Sequence, residues 1–193
     1  MAQSRIAEIL LFAGNFVRHP MMLGSIIPSS RFLVNQVLEP IDWQRAQVIV
    51  EYGPGVGTIT GEILRRMRPD AHLIAIETNN DFVRFLGKSL ADPRLQVVHD
   101  SAAEVQNVLQ RLGLPPANYI VSGIPLGSMP EPLRAKIVSE SRAALAPGGR
   151  FLVYQFTARA LPALQRTFHH VQRSFERRNL PPAQLFVCAA ETG

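Results

Sequence analysis

Residues 46–58, AQVIVEYGPGVGT, join an apolar run to a turn that is rich in glycine. A short run of valine and isoleucine is typical of a strand covered on both faces, as strands of a parallel sheet are. Gly53, Gly55 and Gly57 then give the backbone the freedom to turn sharply from this strand into a helix. The stretch therefore predicts the first strand–turn–helix unit of a doubly wound α/β domain.

Short strands and helices alternate along the rest of the chain. Strands are predicted at 46–52, 72–77, 95–99, 119–123 and 150–156. Helices are predicted at 59–67, 80–90, 103–112, 132–145 and 161–168, the fourth ended by Pro147-Gly148-Gly149. This alternation favours an α/β fold with a mostly parallel, doubly wound sheet. The last two predicted strands, 171–178 and 183–189, are separated by NLPP, so an antiparallel hairpin is expected to complete a seven-stranded sheet.

Two further helices are predicted before the first strand. Residues 4–19 place apolar side chains at helical spacing, which predicts an amphipathic helix. Such a helix fits either packing on its own domain or lying in a lipid interface. Ser29 or Ser30 can cap a second helix that ends near Leu38. The sheet is therefore expected to carry an N-terminal helical extension.

Composition excludes several classes of protein. The 193 residues are 47% hydrophobic and 18% charged, which argues against disorder and against a coiled coil. The single cysteine, Cys188, excludes an internal disulfide framework, and the histidines lack metal-ligand spacing, so no metal site is expected. No apolar run reaches the roughly 18 residues that cross a bilayer, and no export signal is recognisable, so we expect a cytoplasmic protein.

Positive charge is concentrated near the end of the chain. The net charge is +5, and residues 150–193 carry six arginines against two glutamates. A basic segment of this kind favours an anionic partner, either a nucleic acid or a membrane surface, although solubility alone would also explain it.

The glycine turn and two glutamates indicate the ligand of the domain. Glu77 ends the second predicted strand, where a carboxylate can accept both hydroxyls of a ribose. The turn reads G-x-G-x-G rather than the G-x-G-x-x-G of dinucleotide sites, and Pro54 lacks an N–H for a pyrophosphate. Glu51 would repel a pyrophosphate but suits a ligand with an ammonium and a sulfonium group. These features favour S-adenosylmethionine over NAD, and the alternative is a purely structural turn.

Two more turns are expected beside this ligand. Asp100-Ser101-Ala102 follows the third strand at the level of an adenine, where Ser101 could equally cap the next helix. Ser122-Gly123-Ile124-Pro125-Leu126 follows the fourth strand, where amine and adenine methyltransferases commonly carry Asn-Pro-Pro-aromatic or Asn-Leu-Pro-Tyr. Gly123 takes the place of the asparagine and Leu126 that of the aromatic residue, which leaves backbone carbonyls to orient an acceptor nitrogen.

Four segments carry a resemblance to a known family. They are GSIIPSS (24–30), IVEYGPGVGTIT (49–60), SGIPLGSMP (122–130) and NLPPA (179–183). Together they resemble the bacterial soluble phospholipid N-methyltransferases, which are class I S-adenosylmethionine-dependent enzymes related to the rRNA adenine dimethylases. The resemblance extends from about Phe16 to Cys188, and its first and last segments are the more specific ones.

The resemblance implies a Rossmann-like fold and methylation of phosphatidylethanolamine towards phosphatidylcholine at the cytosolic face of the membrane. Residues 1–40 would form an amphipathic helix and a lid towards substrate and membrane, and residues 41–193 the methyltransferase domain. The residues expected to bind S-adenosylmethionine are Glu51, Gly53, Gly55, Gly57, Glu77, Asp100, Ser101, Ala102 and Ser122. Those expected at the acceptor are Ser29, Ser30, Gly123, Ile124, Pro125 and Leu126. Arg177 and Arg178 are expected on the rim of the site, where they fit either holding a lipid phosphate or a solvated strand end.

The sequence also departs from the family pattern and leaves rival functions open. Leu126 stands in place of Trp or Phe, Asp100 in place of Gly and Tyr52 in place of Leu, and the first change leaves the head group open. No general base is evident. His19 is expected near the mouth of the site but could equally cap the first predicted helix, and desolvation alone lowers the pKa of an amine. The alternative is an RNA adenine N6-methyltransferase, although no aromatic residue follows the fourth strand and no helical RNA-binding domain follows the last one. A third possibility is a module that binds S-adenosylmethionine without catalysis.

Overall fold

The computed structural model describes residues 30–189, so the helix predicted at 4–19, His19 and Ser29 lie outside the described residues. The strands are β1 (Val48–Tyr52), β2 (His72–Glu77), β3 (Leu95–His99), β4 (Ala117–Ser122), β5 (Leu145–Gln155), β6 (His170–Glu176) and β7 (Ala183–Ala189). The helices are α1 (Arg31–Leu38), α2 (Thr58–Arg66), α3 (Asn80–Ser89), α4 (Val105–Arg111), α5 (Glu131–Ala144) and α6 (Leu161–Thr167). Short 3-10 turns cover Ala102–Glu104, Leu126–Ser128 and Ala158–Ala160.

The strands form one seven-stranded sheet in the order β3-β2-β1-β4-β5-β7-β6. The pairings among β1 to β5 are parallel, whereas β7 runs antiparallel to both β5 and β6. The structure thus confirms the mostly parallel, doubly wound sheet and the antiparallel hairpin at its end. Strand order reverses between β1 and β4, and ligands of open α/β sheets bind outside the carboxyl ends of such a pair.

Helices cover both faces of the sheet and bury a hydrophobic cluster on each. Successive side chains of a strand point to opposite faces, so Val50 of β1 belongs to a cluster with α4, α5 and α6. Its neighbour Ile49 belongs to a second cluster with α1 and α2. All five residues of β1 are buried, as the apolar sequence of this strand predicted. Within residues 30–189, no helix combines the length and the apolarity that crossing a bilayer requires.

Helix α1 begins and ends where the sequence predicts. Its N-cap is Ser30, whose hydroxyl accepts a hydrogen bond from Leu33 N at 3.2 Å. Leu33 and Leu38 are fully buried, and they share one cluster with Ile41 beyond the helix and with Ile49 of the sheet. The hydrophobic core therefore continues across the domain boundary that was predicted after residue 40.

The fifth strand and the helix before it have bounds that differ from the prediction. Helix α5 ends at Ala144, so Pro147-Gly148-Gly149 does not end it but lies within β5. Gly148 has a φ of +74°, and the pairing of β4 with β5 shifts register beyond Ala117, as it does at a β-bulge. Pairing with the amino end of β4 thus extends β5 into residues whose composition is typical of a turn.

Candidate functional site

The loop between β1 and α2 contains three glycines whose conformation other residues rarely adopt. Gly53, Gly55 and Gly57 have φ angles of +65°, +56° and +86°, in the left-handed region. A Cβ on Gly53 would lie 2.6 Å from Ile124 Cγ2, and a Cβ on Gly57 would lie 2.6 Å from Leu86 Cδ2. The loop therefore packs against the turn after β4 on one side and against α3 on the other. The loop fits between these two segments because Gly53 and Gly57 have no side chains.

Glu77, the last residue of β2, joins this loop to the start of α3. Its Oε2 accepts a hydrogen bond from Gly55 N at 3.3 Å, and its Oε1 accepts one from Asn79 N at 2.8 Å. Burial raises the pKa of Glu77, and the backbone N–H groups act in the opposite direction. Thr78 adds further hydrogen bonds to Glu77 through its backbone and its side chain. Glu77 thus lies beside the glycine loop, where the sequence predicted it.

Glu51 is the fourth residue of β1, two positions before Gly53, and its carboxylate is buried. The residue is 3% exposed, and its Oε2 has no hydrogen-bond partner among the described residues. Burial raises the pKa of Glu51 to about 7; the Thr60 hydroxyl acts in the opposite direction, and the charge of Glu77 adds to the rise. An unpartnered buried carboxylate is costly, and a nearby positive charge would stabilise it. This agrees with the role predicted from the sequence, in which Glu51 is a partner for a cationic ligand.

Asp100, Ser101 and Ala102 follow β3 at the same edge of the sheet. Asp100 N donates to Glu77 O at 3.2 Å, which places this turn beside the end of β2. The Ser101 hydroxyl accepts from Ala103 N at 3.2 Å, so the capping role that the sequence allowed is the one this side chain has. The Asp100 carboxylate is held by Ser101 N at 2.8 Å and by Arg111 Nη2 at 2.9 Å. The contacts with an adenine that were predicted for this turn therefore depend on the remaining lone pairs of the Asp100 carboxylate and on the backbone N–H and C=O groups of the turn.

The turn after β4 lies against the glycine loop across the β1–β4 crevice. Gly123 N donates to Tyr52 O at 3.1 Å, and Pro125 leads into the 3-10 turn. The Leu126 side chain is 0% exposed and belongs to the hydrophobic core, so it does not reach the crevice where the acceptor was predicted. The Ser122 hydroxyl is also buried, without a hydrogen-bond partner among the described residues. The structure thus brings Gly123 and Ile124 to the crevice and directs the side chain of Leu126 away from it.

Two residues at the end of β5, Tyr154 and Gln155, support this turn, although neither belongs to a motif that predicted a role for it. Gln155 Nε2 donates to Ile124 O at 2.7 Å, and Gln155 Oε1 accepts from Gly127 N at 3.2 Å. Tyr154 packs against Gly123, whose Cβ, if present, would lie 2.3 Å from Tyr154 Oη. Their position at the carboxyl end of a predicted strand was the signal that could have identified both.

Ser30, Arg177 and Arg178 lie on the same edge of the sheet but away from the crevice. Because β6 runs parallel to β5, its carboxyl end and the turn that follows reach this edge. Strand β6 ends at Glu176, two residues earlier than predicted, so both arginines lie in the turn. Strands β4, β5 and β7 separate β6 from β1, which at about 4.8 Å a strand places the turn about 19 Å from the glycine loop. Ser30 N donates to Asn179 Oδ1 at 2.9 Å and so ties α1 to this turn.

The two arginines differ in what they contact. Arg178 forms two hydrogen bonds of 3.0 Å with the carboxylate of Glu176, and its guanidinium lies 4.2 Å from the ring centroid of Phe32. Arg177 is exposed. An anionic group that reached this rim would therefore meet Arg177, which forms no ion pair with the residues the structure describes, and Arg178, whose charge Glu176 already neutralises in part.

The arrangement fits a nucleoside ligand that carries positive charge. Glu51 and Glu77 lie beside a loop of bare backbone, and together they would repel a pyrophosphate, while a ribose and a cation would satisfy them. Among residues 30–189, no group of three or more His, Cys, Asp or Glu side chains is placed to hold a metal ion. The chemistry of the described site is therefore that of binding and aligning a cationic donor at the ends of β1 and β2.

Comparisons with known proteins agree with this assignment. Residues 21–166 match the family described as Ribosomal RNA adenine dimethylase. The chain is 35% identical over 189 residues to an ornithine lipid N-methyltransferase of Singulisphaera acidiphila, a match that covers 94% of this chain and 95% of the relative. It is 36% identical over 59 residues to a ribosomal RNA small subunit methyltransferase A of Clostridium perfringens, which covers 30% of this chain and 20% of that relative.

A solved structure of similar fold is that of a precorrin-6y C5,15-methyltransferase from Geobacter metallireducens GS-15. It matches with a TM-score of 0.64 at 15% identity, over 82% of this chain and 87% of that one. At this identity the likeness supports the fold alone, whereas the family match spans most of the chain. The predicted methyl donor and the predicted kinship with the rRNA adenine dimethylases are thereby confirmed. The chain belongs to the ribosomal RNA adenine dimethylase family, whose members are S-adenosylmethionine-dependent methyltransferases.

Proposed function

We propose that this methyltransferase acts on the amino head group of a membrane lipid. The observation that carries the proposal is the match to an ornithine lipid N-methyltransferase over nearly the whole length of both chains. The resemblance in sequence pointed to phosphatidylethanolamine, and both lipids present a primary amine near an anionic group, a carboxylate in one and a phosphate in the other. The proposed substrate class is therefore an amino lipid, and the labelling experiment below identifies which head group is methylated.

The residues that bind the donor lie at the ends of β1 and β2. S-adenosylmethionine supplies the methyl group: the lone pair of the acceptor nitrogen forms the new N–C bond while the C–S bond breaks and its electron pair stays on sulfur. Glu77 would hold the ribose, Glu51 would offset positive charge, and the loop from Gly53 to Gly57 would place its backbone against the ligand. Alignment of the two reactants is the main contribution such a site makes.

The acceptor amine must be neutral before it can react. An alkyl ammonium has a pKa of about 10.4 in water, so at neutral pH the proton must first leave to solvent. Transfer of the amine from water into the crevice between β1 and β4 would lower its pKa, since desolvation disfavours the charged form. Desolvation thus takes the role of a general base in this proposal. The methylated nitrogen would release a further proton to water before a second transfer.

The rim around the β6–β7 turn suits contact with an anionic membrane. Leu180 is 84% exposed and Phe175 is 51% exposed, and the exposed Arg31 and Arg177 lie nearby on α1 and in the turn. Apolar side chains that enter a lipid interface, together with arginines that meet anionic head groups, are what hold a peripheral protein on a membrane. This edge of the sheet is also the edge at which the donor site opens. Peripheral attachment here would bring the crevice towards the lipid head groups.

An RNA adenine methyltransferase is the second candidate, because the family description names that activity. The match to a ribosomal RNA methyltransferase covers only 20% of that relative, however, which is much less than the lipid enzyme's match. The turn after β4 also places the Leu126 side chain in the core, so the residue at the usual aromatic position offers no ring to stack on a flipped base. These two observations favour the lipid over the RNA.

A single labelling experiment separates the candidates. The full chain is incubated with methyl-labelled S-adenosylmethionine and, in separate arms, with vesicles containing an ornithine lipid, vesicles containing phosphatidylethanolamine, vesicles without amino lipid, or ribosomal RNA. We expect label in the lipid fraction of one or both amino-lipid arms, with mass spectrometry identifying the methylated head group. Label confined to RNA would replace the proposed function with the second candidate. Glu77→Gln serves as the control that lacks a donor-site carboxylate.

A further inference from the structure

Gly123 and Tyr154 lie side by side at the carboxyl ends of β4 and β5. Ser122 pairs with Val153, so the residues that follow each of them come to the same level of the sheet. A Cβ on Gly123 would lie 2.3 Å from Tyr154 Oη, 2.8 Å from Cζ and 3.1 Å from Cε1. The tip of the tyrosine therefore occupies the volume into which a side chain at residue 123 would extend.

The backbone at Gly123 does not itself require glycine. Gly53, Gly55 and Gly57 have positive φ angles, and Gly123 is not among the glycines that do. A larger residue at this position is therefore excluded by Tyr154 and not by backbone strain. At the position where amine methyltransferases commonly have an asparagine, this chain has Gly123, and the phenol of Tyr154 fills the space beside it.

The carbonyl of the next residue is already engaged. Ile124 O accepts hydrogen bonds from Gln155 Nε2 at 2.7 Å and from Leu126 N at 2.8 Å. A carbonyl oxygen has two lone pairs, so this one has none left for the N–H of an incoming amine. A phenol hydroxyl can donate one hydrogen bond and accept another, so the Tyr154 hydroxyl beside Gly123 can accept an N–H without ionising and while it keeps another partner.

We propose that Tyr154 positions the acceptor amine. Its hydroxyl oxygen accepts one N–H of the neutral amine and so directs the nitrogen lone pair towards the methyl group. No proton is transferred in this contact; the bond changes are those of the methyl transfer already described, and the surplus proton leaves to water. The proposal rests on the proposed function, because it needs an amine as the acceptor.

The first test removes the hydroxyl and keeps the ring. In Tyr154→Phe we expect kcat for amino-lipid methylation to fall about tenfold, the effect of losing one hydrogen bond of ordinary strength. The affinity for S-adenosylmethionine, measured by calorimetry, is expected to stay at the wild-type value. Loss of donor affinity together with kcat would indicate a structural role and would overturn the proposal.

The second test replaces the hydroxyl of Tyr154, at the end of β5, with an amide at residue 123, just after β4. Gly123→Asn alone should be inactive, because the new side chain meets Tyr154 at 2.3 Å. Gly123→Asn combined with Tyr154→Ala removes the ring and leaves space for the amide, so activity should exceed that of either single variant. Gly123→Asn combined with Tyr154→Phe should stay inactive, since Cζ and Cε1 still lie 2.8 and 3.1 Å from the added Cβ.

The outcomes distinguish this proposal from the one on which it rests. A wild-type chain that methylates no amino lipid would overturn both. A wild-type chain that is active, with Tyr154→Phe equally active, would overturn the role of Tyr154 and leave the lipid substrate standing. Reduced kcat in Tyr154→Phe with recovery in the Gly123→Asn, Tyr154→Ala pair would establish the position of the acceptor nitrogen beside Gly123.

Discussion

Glu77 and Gly55 are joined by a hydrogen bond of 3.3 Å from the glycine N–H to the carboxylate Oε2, so the end of β2 holds the loop that follows β1. The other oxygen of Glu77 accepts from Asn79 N. One carboxylate thereby fixes the glycine loop and the start of α3, the two segments that flank the donor site. The shape of that site depends on this contact between residues that are 22 positions apart.

Replacing Glu77 with glutamine should weaken donor binding. Two N–H groups need two acceptor oxygens, and an amide supplies one oxygen and one opposing NH₂ group. Hydrogen bonds to charged groups contribute about 1.5–3 kcal/mol, so the Kd for S-adenosylmethionine should rise roughly tenfold to a hundredfold. Calorimetric titration measures this. Glu131→Gln, at an exposed carboxylate on α5, is the control, and an equal effect of both substitutions would contradict the assignment.

Replacing Gly57 with alanine should destabilise the fold and weaken donor binding together. The residue has a φ of +86°, and the added Cβ would meet Leu86 Cδ2 at 2.6 Å. The left-handed conformation alone costs a non-glycine residue about 1–2 kcal/mol. Gly61→Ala is the matched control: it lies within α2 with no atom within 4 Å of the added Cβ, and we expect stabilisation by about 0.5–1 kcal/mol. Urea denaturation of the two variants should give changes of opposite sign.

The buried Glu51 should make the stability of the ligand-free chain depend on pH. Its pKa rises from 4.5 to about 7 in the folded chain, so between these values the folded chain keeps a proton that the unfolded chain releases. The free energy of unfolding therefore falls as pH rises through this window, by up to about 3 kcal/mol from this group. Glu51→Gln should match the wild type near pH 4 and exceed it in stability at pH 8. A difference between the two chains that does not change with pH would contradict the assignment.

Removing Arg177 should weaken binding to anionic vesicles. A basic residue near an anionic surface contributes about 1 kcal/mol, so Arg177→Ala should lower vesicle affinity about fivefold and leave donor affinity unchanged. Arg45→Ala removes the same charge from an exposed residue just before β1, at the opposite edge of the sheet, and should have little effect. Co-sedimentation with vesicles of defined anionic lipid content provides the measurement. Equal losses in both variants would indicate nonspecific attraction by net charge.

Deleting residues 1–19 tests the amphipathic helix that the sequence predicts. If this segment lies in a lipid interface, the truncated chain should sediment with anionic vesicles much less than the full chain, because the lipid contact of the apolar helix face is lost and only the rim around the β6–β7 turn remains. The described core begins at residue 30, so the truncated chain should still bind S-adenosylmethionine with unchanged Kd. Unaltered sedimentation would refute a membrane role for this helix.

Much of the site could be predicted because its signals are local. The glycines at 53, 55 and 57 have the positive φ angles that their type suggested, and Ser30 caps α1 as its type suggested. The role of one side chain could not be assigned in this way. Ser101 had both a capping and a ligand role open to it, and only the folded backbone shows that its hydroxyl caps Ala103 N.

The sequence by itself determined the alternation of strands and helices, the glycine loop and the two carboxylates, because each of these depends on residue types within a few positions of one another. Only the tertiary structure decided that Leu126 faces the core, that β5 extends back to Leu145 and that Tyr154 fills the space beside Gly123. These outcomes depend on the register between β4 and β5. Register is set by packing between residues far apart in the chain, which local sequence patterns do not encode.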